Sequence, residues 1–248
     1  MRPRNGDLSP HALALRPSII LPLGPAYRRA NDAVKPLWDW MPWALAAKRV
    51  FDVTLTLVLL LTLAPLFLVL MVWIPLDSPG NPFYGHERRG LHGRLFRIYK
   101  FRTMRSDAHL HRIRMIGEKE DTRLFFKHKS DPRVTTLGRF LRKYSLDELP
   151  QLFNVLLGDM SLVGPRPLIK EDFEGPGRPG LLYRRWVRHR HRLWPGISGL
   201  WQVSGRNELS FEQSMRLDLK YVTHWTPMMD LAILLRTIPV VLKGHGAY

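Results

Sequence analysis

Two carboxylates stand side by side in Ser145-Leu146-Asp147-Glu148-Leu149-Pro150, inside a chain whose formal charge is +17. Arg139, Arg142 and Lys143 precede the pair and Arg166 follows it. Acids in such surroundings suit the handling of a phosphorylated substrate. Asp147 is a candidate nucleophile or metal ligand, because the field at a helix N-terminus favours the anionic form of a first-turn carboxylate. Glu148 has a second reading: Ser145, three residues before it, fits a capping box in which the glutamate reaches back to the backbone. That pattern leaves Asp147 unexplained. Pro150 would remove a hydrogen bond from a helix starting at Ser145, which moves the expected helix start a few residues on.

The elements that must position this pair are legible as patterns. Leu95-Phe96-Arg97-Ile98-Tyr99-Lys100-Phe101 alternates apolar and basic residues like a strand, and places Lys100 and Arg102 on one face. Asp131-Pro132-Arg133-Val134-Thr135 is a turn leading into a helix whose apolar positions are 137, 140 and 141 and whose basic ones are 139, 142 and 143. In Gly158-Asp159-Met160-Ser161-Leu162-Val163-Gly164-Pro165-Arg166-Pro167, Gly164 lets backbone approach a ligand. The two prolines hold Arg166 where its planar fork can grip phosphate. The run from Pro195 to Asn207 reads as turn, strand and turn, with polar groups able to hold a nucleotide or sugar. Thr226-Pro227 opens an apolar helix from Met228 to about Leu242, punctuated by Asp230 and Arg236, that suits either the core or a membrane interface. The pairs His109/His111 and His189/His191 lack a third ligand at a convincing distance and read as solvated surface residues.

Val53 to Ile74 contains no charged residue, and about twenty such residues suffice to cross a bilayer. Lys48 and Arg49 precede this segment, and Arg88, Arg89, Arg94, Arg97 and Lys100 follow it, so by the positive-inside tendency both ends prefer the cytoplasm. Pro65 stands in the middle, where it deletes a backbone bond and kinks a helix. A helix that dips into one leaflet, bends at Ala64-Pro65 and returns satisfies both facts; an ordinary spanning helix with a tolerated proline is the alternative. Asp52 is placed to pair with Lys48 or Arg49 at headgroup level. With 45% hydrophobic residues the chain has ample material for a core. Its excess of Lys and Arg calls for anionic partners, whether phosphates, lipid headgroups or nucleic acid. The stretch from Tyr183 to Trp194, dense in Arg, His and Trp, fits a membrane interface or single-stranded nucleic acid. The absence of cysteine excludes thiol chemistry.

Taken in order, Lys48-Arg49-Val50-Phe51-Asp52, the proline-broken apolar segment, Tyr99-Lys100-Phe101-Arg102-Thr103-Met104, Asp131-Pro132-Arg133-Val134-Thr135, Ser145 to Gln151, Gly158 to Pro167 and Pro195 to Val203 resemble the bacterial sugar transferases. These are monotopic polyprenyl-phosphate phosphoglycosyl transferases of the exopolysaccharide-initiating type. The resemblance begins near residue 46 and runs to the C-terminus. It implies transfer of a sugar-1-phosphate from a UDP-sugar to polyprenyl phosphate, with release of UMP. It implies also that Asp147 is the nucleophile of a covalent phosphosugar intermediate beside Glu148, and that Mg2+ is required. Mg2+ keeps waters and takes few protein carboxylates, so one or both of Asp147 and Glu148 are the candidate metal ligands. Attack on a diphosphate brings anion toward anion, and Lys100, Arg102, Arg133, Arg142 and Arg166 are the candidate cations that offset the repulsion.

The expected fold is α+β and mainly helical, in three parts: a basic mobile tail over 1–46, a re-entrant membrane helix over 47–76 broken at Pro65, and a small cytoplasmic catalytic domain over 77–248 with amphipathic interfacial helices. The expected location is the cytoplasmic face of the bacterial inner membrane. The expected partners are UDP-sugar, polyprenyl phosphate and anionic inner-leaflet lipids, without nucleic acid; a homo-oligomer stays open. The competing classes are a membrane-anchored nucleic-acid-binding protein, which leaves Asp147-Glu148 unexplained, and an inactive scaffold of an assembly machinery.

Overall fold

The structure, a computed structural model, describes residues 41, 43–105, 131–169, 187–206 and 209–244. The tail before residue 41, the polar stretch 107–130 with His109 and His111, and the Gly/Pro insertion at 175–180 lie outside the described residues. The chain enters on one long helix, α1, Trp43–Asp77, which contains Pro65 and Pro75. A hairpin follows, made of β1, Phe83–Arg89, and β2, Leu95–Phe101, paired antiparallel from Phe83↔Phe101 to Arg89↔Leu95. Next come α2, Thr136–Lys143, a single 3-10 turn at Leu146–Glu148, and α3, Gln151–Leu157. Two short strands, β3, Ser161–Val163, and β4, Gly196–Ser198, pair in parallel, and the helices α4, Phe211–His224, and α5, Pro227–Lys243, close the described chain. Among the described residues the fold is mainly helical with two small sheets, as the pattern of the sequence indicated.

Local chemistry explains the boundaries. Thr135 accepts from the Gly138 N–H and starts α2. Ser210 and Gln213 form a reciprocal capping box on α4. On α5, Thr226 accepts from the Met229 N–H, Pro227 occupies the first turn, and Gly244 ends the helix in the left-handed region at φ 62°. Phe96, Ile98 and Phe101 of β2 are buried together with Leu137 and Leu141 of α2, Leu152 and Val155 of α3, and Tyr221, Val222 and Trp225 near the end of α4. Gly138 is required where α2 crosses the chain after β2, since a Cβ there would lie 2.1 Å from the Thr103 carbonyl oxygen.

The apolar helix α1 is long and apolar enough to cross a membrane, with a mean hydropathy of 2.8 over its strongest window. It runs without interruption through Ala64-Pro65. Its buried residues fall into two groups. Ala44, Lys48, Asp52 and Thr56 recur every four residues and form one face, and Phe67, Leu70 and Ile74 form a second patch. Between them Leu57, Val58 and Leu61 are exposed, Leu61 to 80%. Each group rests on the same part of the protein. Arg49 donates to the carbonyls of Val155, Leu156 and Met160 at the end of α3, while the Phe67 ring lies 5.8 Å from that of Phe153 in α3 and 5.4 Å from that of Phe101 in β2.

A buried polar cluster fastens the root of α1. Lys48 Nζ lies 2.6 Å from Asp230 Oδ2, 3.8 Å from Asp52 Oδ2, and donates to the Val163 carbonyl at 3.0 Å. Trp225 Nε1 donates to Asp230, and the Tyr221 hydroxyl sits 2.6 Å from its other oxygen. Asp52 does pair with Lys48, but in the protein interior rather than at a headgroup surface, and it accepts from the Leu162 N–H. Removing Lys48 would leave the buried Asp230 carboxylate without its counter-charge, a loss of about 3–5 kcal/mol.

Candidate active site

Asp147 and Glu148 sit in the 3-10 turn between α2 and α3. Ser145, just before them, adopts the left-handed conformation at φ 55° and makes no side-chain cap. The capping-box reading of Glu148 is therefore replaced: the true helix begins at Gln151 with Pro150 at its cap, and Glu148 turns to a cation instead. That cation is Lys100. Alternation along β2 puts Lys100 on the face that carries buried Phe96 and Ile98, so its stem follows the core surface and its ammonium emerges at the acidic turn. Lys100 Nζ lies 2.5 Å from Glu148 Oε1 and 3.6 Å from Asp147 Oδ2.

This unequal sharing divides the pair. For Glu148, burial alone would raise the pKa, but the Lys100 charge and hydrogen bond, with Arg166 and Arg206 behind them, hold it well below the usual carboxylate range. Asp147 goes the other way: burial raises it, the negative Glu148 adds to the rise, and Lys100 and Arg142 offset only part. Two adjacent acids thus acquire different characters, one firmly anionic and one with its charge less compensated. Carboxylates pushed apart in this way are a mark of divided chemical roles.

The five candidate cations are placed unequally. Lys100 bridges the pair. Arg142 acts on Asp147 from α2, its Nε anchored on Thr103 Oγ1 at 2.9 Å. Arg166 acts on Glu148 from the loop after β3, with its guanidinium 5.4 Å from the Trp201 ring centre. Arg133 forms a fork with Asp131, Nη2 to Oδ2 at 2.7 Å, and stands one step behind Arg142. Arg102 lies at the far end of α1, where it donates to the carbonyls of Ser78, Pro79 and Gly80. The strand pattern put Arg102 on the face of Lys100; β2 ends at Phe101, and beyond it the chain turns Arg102 to the free carbonyls that follow the helix.

One further cation joins the site. Arg206 donates to Ser145 Oγ at 3.2 Å and acts on both carboxylates. It fell within the Pro195–Asn207 run of ligand-holding groups, but no spacing tied it to an acidic turn some sixty residues earlier; the pairing of β3 with β4 brings it there. Gly164 serves that pairing too, since a Cβ on it would lie 2.2 Å from the Trp194 carbonyl oxygen, so its close approach is to backbone. Behind the Arg166 loop, Arg190 is buried, pairs with Asp218 at 2.5 Å and donates to the Arg166 carbonyl. The described end of the Arg/His/Trp stretch is in this respect interior: Arg190, His191 and Leu193 are all buried.

Among the described residues no group of three or more His, Asp or Glu could hold a metal. A hard cation such as Mg2+ takes one or two carboxylates and completes its shell with water and phosphate oxygens; the two carboxylates of this turn have the Lys100 ammonium between them.

The site thus consists of paired acids of unequal charge, ringed by guanidinium and ammonium groups and carried on a domain fastened to a helix long and apolar enough to cross a membrane. Residues 43–244 match the bacterial sugar transferases, and the chain belongs to that family. It is 44% identical over 206 residues to the undecaprenyl-phosphate galactose phosphotransferase of Salmonella typhimurium, covering 81% of this chain and 41% of that protein. It is 43% identical over 206 residues to the exopolysaccharide production protein ExoY of Rhizobium meliloti, covering 82% and 88%. The undecaprenyl-phosphate glucose phosphotransferase of Komagataeibacter xylinus is 40% identical over 212 residues, covering 83% and 38%. The chain thus spans less than half of two of these relatives and nearly all of the third.

Proposed function

We propose that the protein transfers a sugar-1-phosphate from a UDP-sugar to polyprenyl phosphate, as the first membrane step of exopolysaccharide or O-antigen assembly. The observation that carries the reading is the division of the acidic pair: Lys100 closes on Glu148 and leaves the Asp147 carboxylate the less neutralised of the two. In the first step an Asp147 oxygen attacks the phosphorus that bears the sugar. An O–P bond forms to the aspartate, the diphosphate O–P bond breaks, and UMP leaves. In the second step an oxygen of polyprenyl phosphate attacks the same phosphorus, freeing Asp147 and giving polyprenyl-diphosphate-sugar. No proton is gained or lost on balance. Lys100, Arg142, Arg166 and Arg206 counter the charge that accumulates where anion meets anion. Mg2+, held by Asp147 and Glu148, would supply further neutralisation of the diphosphate. A two-step route lets nucleotide sugar and lipid use one small site in turn.

The membrane reading is a re-entrant helix with both ends on the cytoplasmic face of the inner membrane. It is supported by the way α1 rests on the domain. A straight helix would hold Arg49 and Phe67 about 27 Å apart, yet their partners Val155 and Phe153 are two residues apart on α3. A bend at Pro65 would bring the two contacts within ordinary side-chain reach, and the exposed apolar stretch around Leu57 to Leu61 would be the part that enters the leaflet.

The deciding experiment offers the purified full chain a panel of UDP-sugars with Mg2+ and no lipid acceptor. UMP should appear in an amount matching the enzyme, and the protein should gain the mass of one sugar phosphate. Asp147→Asn should show neither. UMP release that waits for polyprenyl phosphate would replace the covalent route with direct transfer.

A further inference from the structure

Asn154 is a polar residue with no exposed surface, in a helix whose neighbouring buried positions, Leu152 and Val155, are apolar. Burying a primary amide is costly unless its donors and acceptor are used. Here they are used mainly on one target, strand β2, with a longer contact of 3.5 Å from Nδ2 to Asp159 Oδ2. Oδ1 accepts from the Tyr99 N–H at 2.9 Å, and Nδ2 donates to the Arg97 carbonyl at 2.8 Å. Alternate residues of a strand direct these groups to the same edge. Since β1 pairs with β2 along one edge, the Asn154 amide occupies the other, where a third strand would pair. Its own carbonyl in turn accepts from the N–H groups of Asp159 and Met160 and closes the end of α3. The side chain is thus a rigid bracket between α3 and β2.

What the bracket holds is the residue next to Tyr99. Lys100 leaves β2 one position beyond the clamped N–H, and the acidic turn enters α3 only a few residues before Asn154. The place of the ammonium between Asp147 and Glu148 is therefore set by the register of β2 against α3. No other common side chain reproduces the two bonds. Alanine leaves both backbone groups without the amide, aspartate sets an acceptor against the Arg97 carbonyl, and glutamine is longer by a methylene.

We propose that Asn154 is a positioning residue of the transfer reaction, which acts by fixing strand β2 and with it the Lys100 ammonium between the two carboxylates. The inference rests on the reading of Asp147 and Glu148 given under Proposed function. A displacement of about 1 Å in such a group costs on the order of 100-fold in rate.

The test is a double-mutant cycle on the full chain, read as the single-turnover rate of sugar-phosphate adduct formation for Asn154→Ala, Lys100→Met and the pair together. Asn154→Ala should slow the reaction between about 10-fold and 100-fold. In the Lys100→Met background the same change should cost less than about 2-fold, because the group it positions is gone. If Asn154→Ala costs the same factor in both backgrounds, the residue acts elsewhere or through stability alone, and the inference is overturned. If Lys100→Met itself reacts at the wild-type rate, the reading of the site fails first and takes this inference with it. Asn154→Asp, equal in size and lacking the donor to Arg97, runs through the same cycle should the alanine variant not fold.

Discussion

At the scale of single residues, the site works by unequal neighbours. One ammonium 2.5 Å from Glu148 and 3.6 Å from Asp147 makes two chemically identical groups different. The same scale separates two arginines that the sequence presents alike. Arg166 acts on Glu148, while Arg102 spends its donors on the carbonyls of Ser78, Pro79 and Gly80. Arg166→Ala should therefore raise KM for the UDP-sugar at least about 10-fold, with little change in thermal stability or membrane attachment, since about 1.4 kcal/mol of lost phosphate binding already gives that factor. Arg102→Ala should instead lower stability by about 2 kcal/mol, the net worth of a charged donor to carbonyls left without it, with KM nearly unchanged. Steady-state kinetics alongside thermal melts distinguish the two, and the reverse pattern would mean that Arg102 reaches substrate.

At the scale of elements, the strands and helices that bear the site are held by buried polar contacts. Lys48 ties the root of α1 to the last residue of β3 and to Asp230 of α5. Arg190 and Asp218 tie α4 to the Arg166 loop. His191, beside Arg190, is 7% exposed, and its carbonyl accepts from His92. Burial, with the charges of Arg190 and Arg89, lowers its pKa from 6.5 to about 4. The folded chain thus keeps this ring neutral where the unfolded chain would protonate it. Its stabilisation is complete above pH 6.5 and is lost as pH falls toward 4, by at most about 3 kcal/mol. Asp147 and Asp218, both raised by burial, act in the opposite sense. The comparison to make is with His191→Gln, which leaves those acids in place. Wild type should lose more stability than the variant between pH 6.5 and 4, and equal slopes would show that His191 does not titrate as its burial requires.

At the scale of the whole molecule, the question is which side of the membrane each part occupies. Both flanks of the uncharged run from Val53 to Ile74 are basic, and both buried patches of α1 rest on one domain. A re-entrant arrangement requires the tail before residue 46 and the stretch 107–130 to lie on the same side. The chain has no cysteine, so single cysteines placed in each report without background. A membrane-impermeant maleimide should label neither in intact cells and both after permeabilisation. Labelling of the tail alone from outside would make α1 a spanning helix. Pro65→Leu should move the chain in that direction, because the restored backbone bond favours a straight helix.

Much of the framework was legible in the sequence because it depends on local physics. The alternation of 95–101 gave β2 its bounds, Thr226-Pro227 marked the start of α5, and the uncharged run from Val53 to Ile74 marked α1. The acidic pair stood out because carboxylates are scarce in so basic a chain. What the sequence by itself left open was every relation that depends on distance in space. Whether Glu148 capped a helix or met a cation, which arginines face the pair, and what Asp230 does inside an apolar helix were settled only by the tertiary structure. The reason is that side-chain pairing spans large gaps in the chain: Lys100 to Glu148, Lys48 to Asp230, Arg206 to Ser145. Periodicity reports which face of an element is apolar, whereas the partner of a buried charge is chosen by packing, and packing is a property of the assembled fold.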